Sequence, residues 1–459
     1  MKKSLKPLLW LTVLAICISL VASFSFFGCK KEAAPSEEKV APAEEAPPAE
    51  EEVAEEEITV TWLCARPADG AIVKTVEEVA KEYKEKENVN FELVIVTTPD
   101  RPSYLQKLRT LIAAGDIPDI FDIDADPFAQ QLADQDILVE LKSFLEEQGL
   151  YDKFYPMALK YQELPDGRMS GLPLEYHAEM TWYNKEILQK YNLEPPKTLD
   201  ELLNIAQTLE NNGVTPISVD GIDKWPVLRY LAMVPFRLTG SKYILDLREG
   251  KASMQDEVGK KATEFMQQIG KYFQEGFSST DYTTAKNMFL DGKVAMYRMG
   301  TWELNSFADE NLPENLKGKV GYFYLPMMEG AITKPNEYFT NSGIGMAFNK
   351  ETFNSKSKDF IVYLINNYAE KYLAKQQMSP LKFDVEDESM FSSLFLQVKN
   401  DMDNYGNTFA KPWDTLLDPD TNTVMGDQLI MLAMGLTSPE EFANIIDETI
   451  KKNAPKYFK

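Results

Sequence analysis

The chain has 459 residues, with 72 Asp and Glu against 48 Lys and Arg for a formal net charge of −24, one histidine and three cysteines. That acidic balance argues against a nucleic-acid binder, whose phosphates demand basic patches. With His177 alone and no Cys/His cluster, little material exists for Ser-His-Asp or Cys-His catalysis or for zinc.

Lys2, Lys3 and Lys6 lead into an apolar run from Pro7 to Phe27 that ends in Phe26-Phe27-Gly28-Cys29. A basic start, an apolar stretch and a small residue before a cysteine mark a secretion signal with a lipobox-like end. Residues 1–28 are expected to leave as a lipoprotein signal peptide, with Cys29 the lipid acceptor. The second reading is an uncleaved signal anchor, since the run nearly reaches the roughly 20 residues that span a bilayer. Both readings tether a domain outside the cytoplasm, in a periplasm or at an outer cell surface.

The stretch 29–57 reads as an acidic, disordered linker. From Lys30 to Glu57 eleven Glu face three Lys with no aromatic residue, so the segment cannot bury enough apolar surface to offset its ordering entropy and extends by self-repulsion. Cys17 leaves with the signal, which leaves Cys64 as the one cysteine of the folded part, and it reads as a buried strand thiol. An exported domain with no internal disulfide must rely on its core, and about 400 residues suffice for two core-bearing lobes.

The pattern then becomes regular. Ile58 to Cys64 predicts a strand, and Ile72, Val73, Val76, Val79, Ala80 and Tyr83 recur at helical spacing. Phe91 to Val96 predicts a second strand. Tyr104, Leu105, Leu108, Leu111 and Ile112 form a second helical stripe stopped by Gly115, and Asp119 to Ile123 a third strand. Strand and helix alternating every thirty residues or so indicate a parallel α/β sheet, whose ligands lie beyond the carboxyl ends of the strands. Capping boxes at Thr198 to Glu201 and Ser438 to Glu441 announce helices. Val294 to Met299 predicts a strand, after which Gly300-Thr301-Trp302 turns toward a helix.

Other chemistries find no motif. No G-x-S-x-G elbow, P-loop or dinucleotide glycine pattern is present. Asp122, Asp124 and Asp126 alternate, as do Asp418, Asp420 and Asn422, but an EF-hand loop needs Gly at position six and Glu at twelve. The first stretch has Pro127 and Ala133 there, the second Thr423 and Leu429, so no metal or cofactor is expected. Paired carboxylates also suit a glycosidase, and a lipid-anchored carbohydrate hydrolase is the alternative from a different class. A sugar ring offers apolar C–H faces and a rim of hydroxyls, which calls for flat aromatic platforms beside carboxylates. Trp62, Tyr176, Trp225, Trp302 and Trp413, with Asp124, Asp126 and Glu175, are the candidates; for each aromatic the competing reading is core.

Several segments resemble one family. Ala113-Ala114-Gly115-Asp116-Ile117-Pro118-Asp119-Ile120, Gly171-Leu172-Pro173, Trp182-Tyr183-Asn184-Lys185 and Pro196 to Glu201 occur in order. Phe289-Leu290-Asp291-Gly292-Lys293-Val294-Ala295-Met296 with Gly300-Thr301-Trp302, and Gly343-Ile344-Gly345-Met346-Ala347, follow. Together they resemble the extracellular solute-binding proteins of carbohydrate-uptake ABC transporters, the maltose-binding-protein-like group. The resemblance implies a two-lobed periplasmic-binding-protein type II fold, each lobe a sheet flanked by helices and joined by hinge strands, closing on a ligand. By that analogy lobe one is 58–172 plus 321–368 and lobe two 173–320 plus 369–459. It implies a monomer that captures a sugar without catalysis and delivers it to permease transmembrane subunits absent from this sequence, or a binder of a non-sugar solute. It points to Trp302 as the stacking indole and to Asp126 and Glu175 as hydroxyl acceptors, with Trp225, Tyr176 and Trp413 at pocket positions. Arg66-Pro67 departs from the acidic and basic pair of maltose binders; Arg66, with Arg101 and Arg298 as neighbours, suits an acidic sugar, or else pairs locally.

Overall fold

The structure is a computed structural model that describes residues 57–98, 101–307, 312–385, 387–405 and 409–458. Cys29, the leader and the linker up to residue 56 lie outside the described residues. Strand β1 (Ile58–Cys64) leads through α1 (Ala71–Lys86) to β2 (Phe91–Thr97), and α2 (Arg101–Ala114) leads to β3 (Ile120–Ile123). The expected helical stripe from Ile72 to Tyr83 is buried throughout, and each fully buried Val contributes about 1.5–3 kcal/mol. Helix α3 (Pro127–Asp134) starts on Asp126, whose carboxylate accepts from the Phe128 and Ala129 amides, both at 2.9 Å, satisfying two orphan donors of the first turn. Short helix α4 (Pro156–Tyr161) precedes β4 (His177–Asn184).

Next come α5 (Leu199–Asn211), β5 (Thr215–Ser218), α6 (Trp225–Thr239), α7 (Glu257–Gly270), α8 (Tyr282–Leu290) and β6 (Val294–Gly300). The reciprocal capping box between Thr198 and Glu201 opens α5 as expected. Strands β7 (Val320–Phe323), β8 (Tyr338–Asn341) and β9 (Gly345–Phe348) are followed by α9 (Ser355–Leu373), α10 (Ser393–Tyr405), β10 (Phe409–Ala410), α11 (Pro419–Ala433) and α12 (Pro439–Tyr457). At the start of α12 the Ser438 hydroxyl caps the Glu441 amide. Among the described residues no helix is long and apolar enough to cross a membrane.

Two sheets result. The first has the order β2-β1-β3-β9, with β1, β2 and β3 parallel and β9 antiparallel to β3. One face packs Trp62, Val76 and Phe91 against Phe360, Leu364 and Tyr368 of α9; the other packs Leu63, Tyr104, Leu108 and Phe121. The second sheet has the order β10-β8-β4-β6-β5, with β7 also paired to β4. The all-parallel expectation holds only for part of it: β5 and β6 are parallel, as are β10 and β8, but β4 runs antiparallel to β6, β7 and β8.

Strands β7 and β8 lie almost wholly within the stretch 321–368 expected in the first lobe, and both pair with β4. Thr181 to Asn184 of β4 pair with β7 and His177 and Ala178 with β8, so both strands belong to the second sheet. The chain rejoins the first sheet only at β9. The crossings run side by side: Leu172 and Met346 exchange two backbone hydrogen bonds at 2.8 and 2.9 Å, and the Tyr176 amide donates to the Met378 carbonyl at 3.1 Å.

Candidate functional site

Candidate side chains lie where β1 and β3 end, where β4 begins, and where β6 turns into Thr301-Trp302. Past β1, Arg66 is 8 % exposed. One guanidinium nitrogen lies 2.9 Å from Asp122, and the other lies 3.2 Å from Glu175 Oε1 and also donates to the Ile344 carbonyl. Burial works against the Arg66 charge, but Asp122 and Glu175 outweigh it and hold the group protonated. An ion pair of this kind is costly to break, because each removed partner strands a buried charge. Arg66 is therefore a strut between the first sheet and the crossing, paired with acids of this chain. Arg101 pairs with Asp124, while Arg298 is buried in β6 with its guanidinium 5.6 Å from the Phe339 ring.

Glu175 is equally committed. Its Oε2 accepts from His177 Nε2 at 2.8 Å, and His177 Nδ1 then accepts from the Thr301 hydroxyl at 2.9 Å. Burial raises the Glu175 carboxyl, but the His177 hydrogen bond and Arg66 outweigh it and hold it below the usual range. Gly343 closes over this side chain: its φ of 63° suits glycine, and a Cβ there would fall 1.9 Å from Glu175 Oε1. The imidazole packs edge-on against the Trp302 indole, with centroids 5.2 Å apart.

Trp302 and Trp225 meet at 6.1 Å in a T-shaped pair, both partly buried, and the Arg229 guanidinium lies 5.1 Å from the Trp225 ring. Arg229 is itself neutralised by Glu179 at 2.8 Å and Asp414 at 2.5 Å, and Glu179 also accepts from Asn341 at 2.9 Å. Asp124 and Asp126 follow β3. Burial, then the Asp124 charge, pushes the Asp126 carboxyl up to about 6. Tyr161 lies among them: burial drives its phenol well above its ordinary range, with Asp414 and Asp124 adding to the rise and Arg229 opposing it. Arg101, Tyr161, Asp124, Asp126 and Asp414 thus form one electrostatically coupled group, which the Trp225–Trp302 pair joins through Arg229, and Arg66, Arg101 and Arg229 each face an acid.

The structure brings Trp302 and Trp225 together, sets Asp124 beside Asp126 electrostatically, and links Glu175 to Trp302 through His177. It does not bring Trp62, Trp413 or Tyr176 to that surface. Trp62 is fully buried in the first core with its indole nitrogen 3.0 Å from Asp122, Trp413 stacks on Tyr243 in the second core, and Tyr176 stacks on Tyr155 at 5.3 Å. All three side chains are buried. Cys64 is buried, and burial pushes its thiol up. Tyr161, Arg229 and Asp414 escaped the sequence reading. Among the described residues no group of three or more His, Cys, Asp or Glu is arranged to hold a metal ion.

A two-sheet α/β fold whose chain crosses between the sheets, with aromatic rings and carboxylates where the strands end, defines a protein that holds a small solute. The family model described as bacterial extracellular solute-binding protein matches residues 78–393, and the chain belongs to that family. A similar curated protein is an uncharacterised ABC transporter extracellular-binding protein of Pyrococcus horikoshii, 25% identical over 265 residues, 57% of this chain and 59% of that protein. The maltotriose-binding protein of Pyrococcus abyssi is 27% identical over 221 residues, 48% of this chain and 45% of its own length. The chain thus matches about half the length of these relatives, which are named as binding proteins. Among solved structures, one described with xylan utilization by the thermophilic bacterium Caldanaerobius polysaccharolyticus has a TM-score of 0.74 at 26% identity, covering 85% of this chain and 99% of its own. A chitin oligosaccharide binding protein has the same fold, with a TM-score of 0.75 at 20% identity over 87% of this chain and 99% of its own.

Proposed function

We propose that this chain is the substrate-capturing component of an ABC importer for a sugar or oligosaccharide, tethered outside the cytoplasm by lipid on Cys29 and without catalysis of its own. The observation that carries the reading is the Trp225–Trp302 pair, 6.1 Å between centroids, with Arg229 against the Trp225 ring and Asp414 paired to that arginine. Indoles cover the apolar faces of a pyranose, and carboxylates accept from its hydroxyls. Arg66, Arg101 and Arg229 already face carboxylates, whereas the guanidinium nitrogens of buried Arg298 have no hydrogen-bond partner, so the ligand's charge is left open. The two sheets with their helices are the lobes; ligand between them stabilises the closed form, which a permease reads. Relatives named for maltotriose and for chitin oligosaccharide binding, and the neighbour tied to xylan use, support a saccharide over other solutes.

A micromolar Kd corresponds to about −8 kcal/mol, within reach of two indole stacks and several charge-assisted hydrogen bonds at about 1–3 kcal/mol each. The test is a calorimetric titration of the purified protein with xylo-, malto- and chito-oligosaccharides, followed by chromatography of the recovered sugar. We expect one series to bind near micromolar Kd and to be recovered uncut. Steady cleavage would replace the reading with a hydrolase, and absence of binding by every saccharide would remove it.

A further inference from the structure

Trp302 is held by more than its neighbours in the site. Its indole N–H donates to the Tyr282 hydroxyl at 3.0 Å. Tyr282 in turn donates to Glu303 Oε1, which also accepts from the Tyr297 hydroxyl at 3.1 Å. Glu303 is 1 % exposed, and the Lys286 ammonium lies 3.6 Å from its other oxygen. A phenol carries one proton; because Tyr282 gives that proton to a buried carboxylate, only its lone pairs face the indole. The polarity of the chain is therefore set by Glu303: carboxylate, phenol as donor, phenol as acceptor, indole N–H. Hydrogen bonds in such a series polarise and strengthen one another.

On the other side the indole lies over Gly300, where a Cβ would fall 2.1 Å from Trp302 Cζ3. The N–H edge is tied to Tyr282 and the six-membered ring rests on bare backbone. The indole thus meets a ligand with its remaining ring surface and has no free donor to offer a sugar hydroxyl.

We propose that Tyr282, oriented by Glu303, is the positioning residue that sets the angle of the Trp302 platform and so the affinity for saccharide, although it touches no ligand itself. The inference rests on Trp302 being the stacking platform. Tyr282→Phe deletes one oxygen and keeps the ring, so packing is preserved while the indole N–H loses its acceptor. We expect Tyr282→Phe to weaken binding of the saccharide found above about tenfold, the loss of one good hydrogen bond.

The discriminating experiment is a double-mutant cycle of Tyr282→Phe and Trp302→Phe by calorimetric titration. If Tyr282 acts through the indole, its effect falls below about twofold once Trp302 is Phe. A tenfold loss in both backgrounds, or none in the wild-type background, overturns the proposal. A wild type that binds no saccharide overturns the parent reading and this inference with it, so the two failures are told apart. Should Trp302→Phe bind too weakly to titrate, fluorine NMR of 5-fluorotryptophan-labelled protein gives the second readout. The Trp302 resonance, identified by its loss in Trp302→Phe, shifts in Tyr282→Phe if the proposal holds, and an unmoved resonance overturns it.

Discussion

Glu175 and His177 are joined by a 2.8 Å hydrogen bond between Oε2 and Nε2, while Oε1 of the same carboxylate lies 3.2 Å from Arg66. One side chain on the crossing thus links the end of β1 to Thr301 at the end of β6. The chain's single histidine is a structural joint between Glu175 and Thr301, and Glu175 has no oxygen without a protein partner.

Arg66→Met should test that joint. The substitution leaves Asp122, fully buried, and Glu175 without their cation, and breaking a buried pair in this way costs about 3–5 kcal/mol. Urea denaturation should show a midpoint drop of that order; an unchanged midpoint would mean that the strut carries no stability.

Asp126 gives a pH signature. Its folded carboxyl titrates at about 6, above the ordinary 3.8, because of burial and then the charge of Asp124. A raised folded value means the protonated form is favoured on folding, so this stabilisation is complete below about pH 3.8 and is lost as pH rises through 6. Its full size is about 1–3 kcal/mol. Asp126→Asn keeps a residue that caps α3 and removes the titration. The difference in Tm between variant and wild type should grow in favour of the variant from pH 4 to pH 7.5; a constant difference would contradict the assignment.

Gly300→Ala should displace Trp302, since the added methyl falls 2.1 Å from the indole. Saccharide affinity should fall by about tenfold or more while the fold persists, as expected when a well-placed aromatic contact of about 1.5 kcal/mol is lost. Titration beside a thermal melt checks this; unchanged affinity would mean that the indole is not the platform.

Much of the first sheet was legible because its signals are local. Ile58 to Cys64 alternates as a strand, Ile72 to Tyr83 repeats as a helix, and both elements stand where periodicity predicts them. The placement of β7 and β8 was not legible, because short apolar strands carry no mark of their partner and only pairing with β4 assigns them to the second sheet. The same limit governs the site. Trp302 and Asp126 stand at element ends that spacing or resemblance indicates, whereas Trp62 and Trp413 are equally flat and apolar but face inward. Tyr161, Arg229 and Asp414 meet only in three dimensions: Arg229 is one buried residue among many on α6, and nothing local reveals that Asp414, 185 positions later, neutralises it.

The most direct test of the saccharide site is a calorimetric titration of wild type and Trp302→Ala with the oligosaccharide series, with a thermal melt of each. We expect micromolar binding by the wild type, a loss of about a hundredfold or more in the variant, and melting temperatures within a few degrees of each other. Equal binding by both proteins, or a variant that unfolds with no separate loss of affinity, would contradict a saccharide platform at Trp302.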